Sequence, residues 1–320
     1  MPTLPNLEKI GILLAALLAS LALVSFTLPH GGALRTPAAP QSAAISQGLL
    51  KLVRRSELAP PLDAEAALIE RLRTGEALWE RNADRELAMA SLTKLMTALV
   101  LAETGHALDD VFFSLWAHAA GDPDEKRSAV AAGERLRVED VLKLLIVSSD
   151  SDAAYAAAEF VANRIQAGAD ELSSEERMAI FMRHLNGRAE AIGLTRTGFA
   201  NPSGRDQEGN YSTGRDIVTL MRHIEAHHPE LWTISRISET FIFSVSGTRY
   251  GVVNTNPLLL EYPAIYGSKT GFEDEAKGTL AMLYRLSPDE LIAIVLLKSR
   301  DRFADGRAAI QWLESSFTLE

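Results

Sequence analysis

The chain has 320 residues, 47% of them hydrophobic and 23% charged, the mix of a globular protein with a sizeable core. Its net charge is −10 with no long Lys/Arg run, which argues against a phosphate-neutralising nucleic-acid surface. It has no cysteine, so disulfides, thiolate nucleophiles and cysteine zinc sites are excluded.

Ile10 to Leu28 is apolar apart from Ser, Thr and Gly. These 19 residues match a hydrocarbon core of about 30 Å. Lys9 precedes the run, Pro29-His30-Gly31-Gly32 ends it, and no clean small-x-small cleavage site follows. The stretch 1–29 is expected to be an uncleaved membrane anchor, with a long signal sequence as the alternative. Lys9 lies on one side, and Arg35, Lys51, Arg54 and Arg55 on the other. That charge distribution places the bulk of the chain inside, whereas the chemistry read below needs an extracytoplasmic substrate. Residues 30–62, rich in Ala, Pro and Ser, read as a linker, and residues 63–320 as one catalytic domain.

Ala66–Leu72 and Ala77–Arg81 are expected strands of a hairpin, with Gly75 supplying a positive φ. Ala88–Glu103 reads as a helix closed by Gly105. Val138–Val147 and Asp152–Ile165 are two further helices separated by Ser148-Ser149-Asp150-Ser151. Ser174–Ile192 follows, capped by Ser173 or Ser174 and stopped by Gly193. Ser212–His227 is another helix. Glu239–Val245 has strand composition, Gly278–Leu286 and Leu291–Leu297 form a hairpin of buried strands, and Arg302–Phe317 is a closing helix. Strands that open and close the domain share one antiparallel sheet, which gives an α+β fold with a helical insert.

Ser91-Leu92-Thr93-Lys94 puts a hydroxyl and an amine one helical turn apart. A serine nucleophile needs a base, and lysine serves once burial or a nearby cation favours its neutral form. Lys269-Thr270-Gly271 offers a cation, a hydroxyl donor and a residue that lets a ligand approach a strand edge. A strand-end turn is its plainer reading. The break at Ser148–Asp152 can aim a hydroxyl into a cleft, or Ser151 or Asp152 can cap the next helix.

The order Ser-x-x-Lys, Ser-x-polar, Lys-Thr-Gly resembles the penicillin-binding serine D-alanyl-D-alanine carboxypeptidases. The resemblance covers about residues 63–318. It includes Ala90-Ser91-Leu92-Thr93-Lys94-Leu95-Met96-Thr97-Ala98, then Asn186, Ala189, Gly193-Leu194, Thr197, Phe199 and Asn201-Pro202-Ser203-Gly204, and finally Tyr211-Ser212-Thr213 and Arg215-Asp216. It implies an antiparallel sheet flanked by helices with a helical subdomain, as in serine β-lactamases and penicillin-binding proteins. It implies that Ser91 attacks a D-Ala-D-Ala bond of peptidoglycan stem peptides, Lys94 takes its proton, and Ser149 relays one to the leaving amine. Lys269 and Thr270, beside Gly271, bind the terminal carboxylate. The backbone N–H groups of Ser91 and Phe272 form the oxyanion hole. β-Lactams become covalent inhibitors, and no metal or cofactor is required.

Ser151 stands where the family has Asn, which implies weaker hold on Lys94 or substrate and altered activity. The residues after Lys269 are expected to finish the catalytic domain without a second β-rich domain or C-terminal anchor. An inactive peptidoglycan- or partner-binding homologue and an endopeptidase remain alternatives. A serine β-lactamase would need Glu190 as its water-activating carboxylate. A metal hydrolase would need His223, His227 and His228, but Glu225 breaks the usual His-Glu-x-x-His spacing.

Overall fold

The computed structural model describes residues 52–120 and 128–319. The expected anchor at 10–28 and most of the expected linker lie outside the described residues. Among the described residues, no helix is long and apolar enough to cross a membrane.

The strands are β1 (Leu52–Arg54), β2 (Ala66–Arg71), β3 (Ala77–Arg81), β4 (Asp110–Phe112), β5 (Arg135–Arg137), β6 (Glu239–Phe243), β7 (Arg249–Val253), β8 (Ile265–Glu273), β9 (Lys277–Ser287), β10 (Glu290–Ser299) and β11 (Phe317–Leu319). One antiparallel sheet of five strands runs in the order β3-β2-β10-β9-β8, so the expected opening hairpin β2–β3 and the expected late hairpin β9–β10 do share a sheet. The β2–β3 hairpin turns through Gly75 at φ +73°. β1, which falls inside the stretch read as linker, pairs with β11 at the other end of the chain.

The long apolar runs of β9 and β10 follow from burial on both faces. Side chains alternate across a strand. Ala281, Leu283, Ala293 and Val295 pack into the core shared with the helical layer. Leu280, Met282, Ile294 and Leu296 pack with Ile310 and Leu313 of the closing helix Arg302–Ser316. Each fully buried side chain of this size contributes about 1.5–3 kcal/mol.

The helical layer contains Thr93–Thr104, Val138–Lys143, Ser151–Ile165, Ser174–Ile192 and Gly214–His227. Ser173 caps the fourth with a reciprocal Glu176 bond, and Gly193 ends it at φ +95°. The expected helix from Ala88 begins later. Leu87 instead bridges Ser212, and a single 3₁₀ turn at Ala90–Leu92 leads into Thr93. The expected start at Ser212 shifts for the same reason, and Thr213 caps a helix that begins at Gly214. Gly105 closes its helix with extended backbone; a β-carbon there would meet Phe160 and Val138 at 3.0 Å. β6 and β7 form a separate two-stranded sheet, as do β4 and β5.

Candidate active site

The Ala90–Leu92 turn sits between the edge strand β8 and the Asn201–Gly204 loop. Both approaches need glycine. A β-carbon on Gly271 would lie 2.8 Å from the Ser91 nitrogen, and one on Gly204 would lie 2.0 Å from the Ala90 carbonyl oxygen. Ala90 itself takes a left-handed φ of +49°, a strain held by these two neighbours.

Lys94 is 1% exposed, and its Nζ reaches three oxygens. It donates to Ser91 Oγ at 3.0 Å, to the Ser203 carbonyl at 2.7 Å and to Ser151 Oγ at 3.3 Å. Thr97 Oγ1 donates to the Pro202 carbonyl at 2.7 Å, which fastens the helix to the same loop. Asn201 Oδ1 in turn accepts from Gly204 N at 2.7 Å.

The second serine enters from a different layer. The chain leaves the wide turn Leu144–Ser148 through Ser149 in left-handed backbone, φ +60°. Lys269 on β8, also buried, donates from Nζ to Ser149 Oγ at 2.7 Å and to the Thr270 carbonyl at 2.7 Å. Thr270 Oγ1 lies 2.6 Å from Thr255 Oγ1. Two buried lysines from different layers of the fold therefore hold three serine hydroxyls, Lys94 those of Ser91 and Ser151 and Lys269 that of Ser149.

Asp150, not Ser151 or Asp152, caps the helix Ser151–Ile165, accepting from Ala153 N at 2.8 Å. Burial pushes its carboxyl up to about 6, and Asp152 adds to that. Since this carboxylate faces the helix N-terminus, Asp150 does not take the position of the family Asn; Ser151 does, on Lys94. Asp152 is fully buried, and its Oδ2 pairs with His118 Nδ1 at 2.7 Å and accepts from Ser128 N at 3.2 Å.

Ser91, Lys94, Ser149, Ser151, Lys269, Thr270 and Gly271 are thus joined through these contacts. Phe272 is exposed beside them, with the Arg302 guanidinium 5.6 Å from its ring centre. Sequence reading missed the Ser203 carbonyl, Thr255 and Arg302. Gly204 after Pro202 was the available signal for the first. Nothing local marks Thr255 or Arg302, which the sheet topology alone brings near.

The rival constellations do not assemble. Glu190 is exposed on the Ser174–Ile192 helix. His223 stacks on His227 at 4.6 Å, but its Nε2 lies 3.1 Å from Arg188 Nη2. Burial, Arg188 and His227 hold its pKa below the usual value. Among the described residues no group of acidic and imidazole side chains is arranged to hold a metal ion.

A family model described as D-alanyl-D-alanine carboxypeptidase matches residues 54–299. The chain is 30% identical over 247 residues to the D-alanyl-D-alanine carboxypeptidase DacF of Bacillus subtilis, covering 76% of this chain. It spans 59% of that relative's length. It is also 30% identical to a D-alanyl-D-alanine endopeptidase of Pseudomonas aeruginosa, covering 79% of this chain and 78% of that protein. The DD-transpeptidase structure of Streptomyces K15 superimposes with a TM-score of 0.71 at 24% identity, over 81% of this chain and 99% of that one. The α+β fold is therefore that of penicillin-binding DD-peptidases.

Proposed function

The chain belongs to the D-alanyl-D-alanine carboxypeptidase family, and we propose that it removes the terminal D-Ala from peptidoglycan stem peptides through an acyl-enzyme on Ser91. The observation that carries this reading is the Lys94 Nζ–Ser91 Oγ contact of 3.0 Å, faced by Lys269 on Ser149. Neutral Lys94 takes the hydroxyl proton as Ser91 Oγ attacks the penultimate D-Ala carbonyl. The Ser91 and Phe272 N–H groups receive the oxyanion. The C–N bond breaks, Ser149 passes a proton to the leaving D-Ala amine, and water then hydrolyses the ester. Lys269 and Thr270 hold the terminal carboxylate, with Gly271 leaving room for it. Ser151 steadies Lys94 in place of an asparagine. β-Lactams acylate the same serine and leave slowly.

Residues 63–320 form the catalytic domain in this reading. Residues 10–28 anchor it on the extracytoplasmic face of the membrane, where such peptides lie.

One observation favours a second reading. The Pseudomonas aeruginosa relative, named an endopeptidase, matches at the same identity and over a larger share of its own length than DacF. Cleavage of a D-Ala-linked cross-bridge is then the reaction, with the same acyl-enzyme.

The test is D-alanine release from a peptide ending in D-Ala-D-Ala, wild type against Ser91→Ala, alongside labelling by a fluorescent penicillin. Release by wild type alone supports the carboxypeptidase. Labelling without release, together with cleavage of a cross-linked dimer, supports the endopeptidase. Neither labelling nor release overturns both and leaves a binding protein.

A further inference from the structure

Thr255 belongs to no strand or helix; it lies in the link between β7 and the short helix Leu258–Glu261. Its neighbours hold it there by bonds of their own. Asn254 donates from Nδ2 to the Ser235 and Ile237 carbonyls, both at 2.8 Å. Asn256 is buried and donates from Nδ2 to Ser268 Oγ on β8 at 2.9 Å. The backbone at position 255 is therefore placed without help from the Thr255 side chain.

Thr255 spans the two segments that carry the second serine and its lysine. Its N–H donates to the Val147 carbonyl at 3.1 Å, two residues before Ser149. Its Oγ1 lies 2.6 Å from Thr270 Oγ1, and Thr270 follows the Lys269 that donates to Ser149. Among the described residues, neither threonine hydroxyl makes another hydrogen bond. Thr270 is buried and Thr255 is half-buried, so the pair stands between the interior and the cleft.

A hydroxyl has one proton to give. Across the 2.6 Å contact one threonine donates and the other accepts. If Thr270 donates to Thr255, it turns only lone pairs toward the cleft, and a carboxylate is repelled. If Thr255 donates, Thr270 keeps its proton for the cleft. Accepting one bond also strengthens the bond that Thr270 gives.

We infer that Thr255 is a positioning residue, whose hydroxyl donates to Thr270 and thereby aims the Thr270 proton at the terminal carboxylate of the substrate. The inference rests on the function proposed above, which puts that carboxylate at Lys269 and Thr270. The directed pair selects for a free carboxylate. A terminal carboxamide has one acceptor oxygen and no charge, so it gains less from the same donor.

The experiment uses the full chain and two peptides ending in D-Ala-D-Ala, one with a free carboxylate and one with a carboxamide. Thr255→Val keeps the shape and removes the hydroxyl. On the carboxylate peptide it is expected to raise KM roughly tenfold with kcat little changed, the loss of one directed bond to a charged group. Thr255→Ser is expected to restore the wild-type values, and the carboxamide peptide to change by less than about twofold. Thr255→Val/Thr270→Val is expected to be no worse than Thr270→Val alone, since the first hydroxyl acts only through the second. An equal loss on both peptides, losses that multiply in the double variant, or wild-type kinetics in Thr255→Val each overturn the positioning role and leave the carboxypeptidase standing. Labelling by a fluorescent penicillin, which carries a carboxylate of its own, separates the two failures. Labelling without D-alanine release overturns the carboxypeptidase; a rate of labelling roughly tenfold lower in Thr255→Val then still supports the threonine pair, and an unchanged rate overturns it. Neither labelling nor release overturns both.

Discussion

Gly271 approaches Ser91 so closely that a β-carbon at position 271 would fall 2.8 Å from the Ser91 backbone nitrogen and 2.9 Å from the Ala90 β-carbon. The nearest atom is the Thr279 hydroxyl oxygen at 2.5 Å, and the next two belong to backbone and to a stub side chain that cannot rotate away. Gly271→Ala must therefore push β8 and the Ala90–Leu92 turn apart. The expected result is an acylation rate by fluorescent penicillin lower by about 10²-fold, the loss of one oxyanion donor. The overpacking itself costs about 1–3 kcal/mol in denaturant unfolding. Wild-type acylation by this variant would remove Ser91 N from the proposed oxyanion hole.

Ser151 contributes one hydroxyl to Lys94 at 3.3 Å, the longest of the three bonds this amine makes to Ser91, Ser203 and Ser151. An asparagine carries its carbonyl further along the arm and adds an amide donor. Ser151→Asn is expected to raise the acylation rate several-fold, a change of about 1 kcal/mol in barrier. Stopped-flow labelling with a chromogenic β-lactam measures it. An unchanged rate would mean that the hydroxyl suffices and that the departure from the family pattern has no kinetic cost.

The parts of this site that were legible in the sequence were those with short-range signatures. Ser91 and Lys94 are one helical turn apart, so their contact follows from helix geometry alone. Ser173, Glu176 and Gly193 announce their helix ends. The β9–β10 hairpin shows as two apolar runs around Ser287-Pro288-Asp289-Glu290. What escaped depends on long-range packing. The Ala88–Leu92 segment has helix-forming composition, yet Gly204 and Gly271 press on it from positions more than a hundred residues away, and it becomes a bridge and a tight turn. Asp150 rather than its neighbours became the cap because the wide turn at Leu144–Ser148 shifts the start of the helix, which no local propensity encodes. Thr255 reaches Thr270 only because β7 delivers it to the edge of β8.

His118 and Asp152 tie the Leu115–Ala120 helix to the start of the Ser151–Ile165 helix. Asp152 is fully buried, so its carboxyl group takes hydrogen-bond partners from this imidazole and from the Ser128 N–H. Removing the imidazole leaves a buried oxygen of Asp152 short of a hydrogen-bond partner, which costs about 1–3 kcal/mol. His118→Ala is expected to lose stability on that scale, with urea denaturation as the measurement. Replacing both, as His118→Leu with Asp152→Asn, is expected to recover part of the loss. A loss below about 1 kcal/mol in the single variant would show that water or the neighbouring N–H groups solvate Asp152 without the imidazole.

Asp150 gives the stability of the domain a pH dependence of unusual sign for a carboxylate. Burial is the largest cause of its rise from 3.8 to about 6, with Asp152 adding to it, while the Ala153 N–H, the Ser128 hydroxyl and Lys94 pull the other way. The folded state thus holds the proton more tightly than the unfolded chain. The stabilisation from the protonated form is full below pH 4 and is lost as pH rises through about 6. Over that window the shift corresponds to at most about 3 kcal/mol. Asparagine caps a helix as well as aspartate does and has no charge to bury. Asp150→Asn is therefore expected to match or trail wild type at pH 4 and to gain on it steadily up to pH 7, with no further change above. Denaturant midpoints at unit pH intervals from 4 to 8 measure this. A stability difference that stays constant across the series would mean that Asp150 keeps its ordinary affinity for protons, and that Lys94 and the helix N-terminus fully offset its burial.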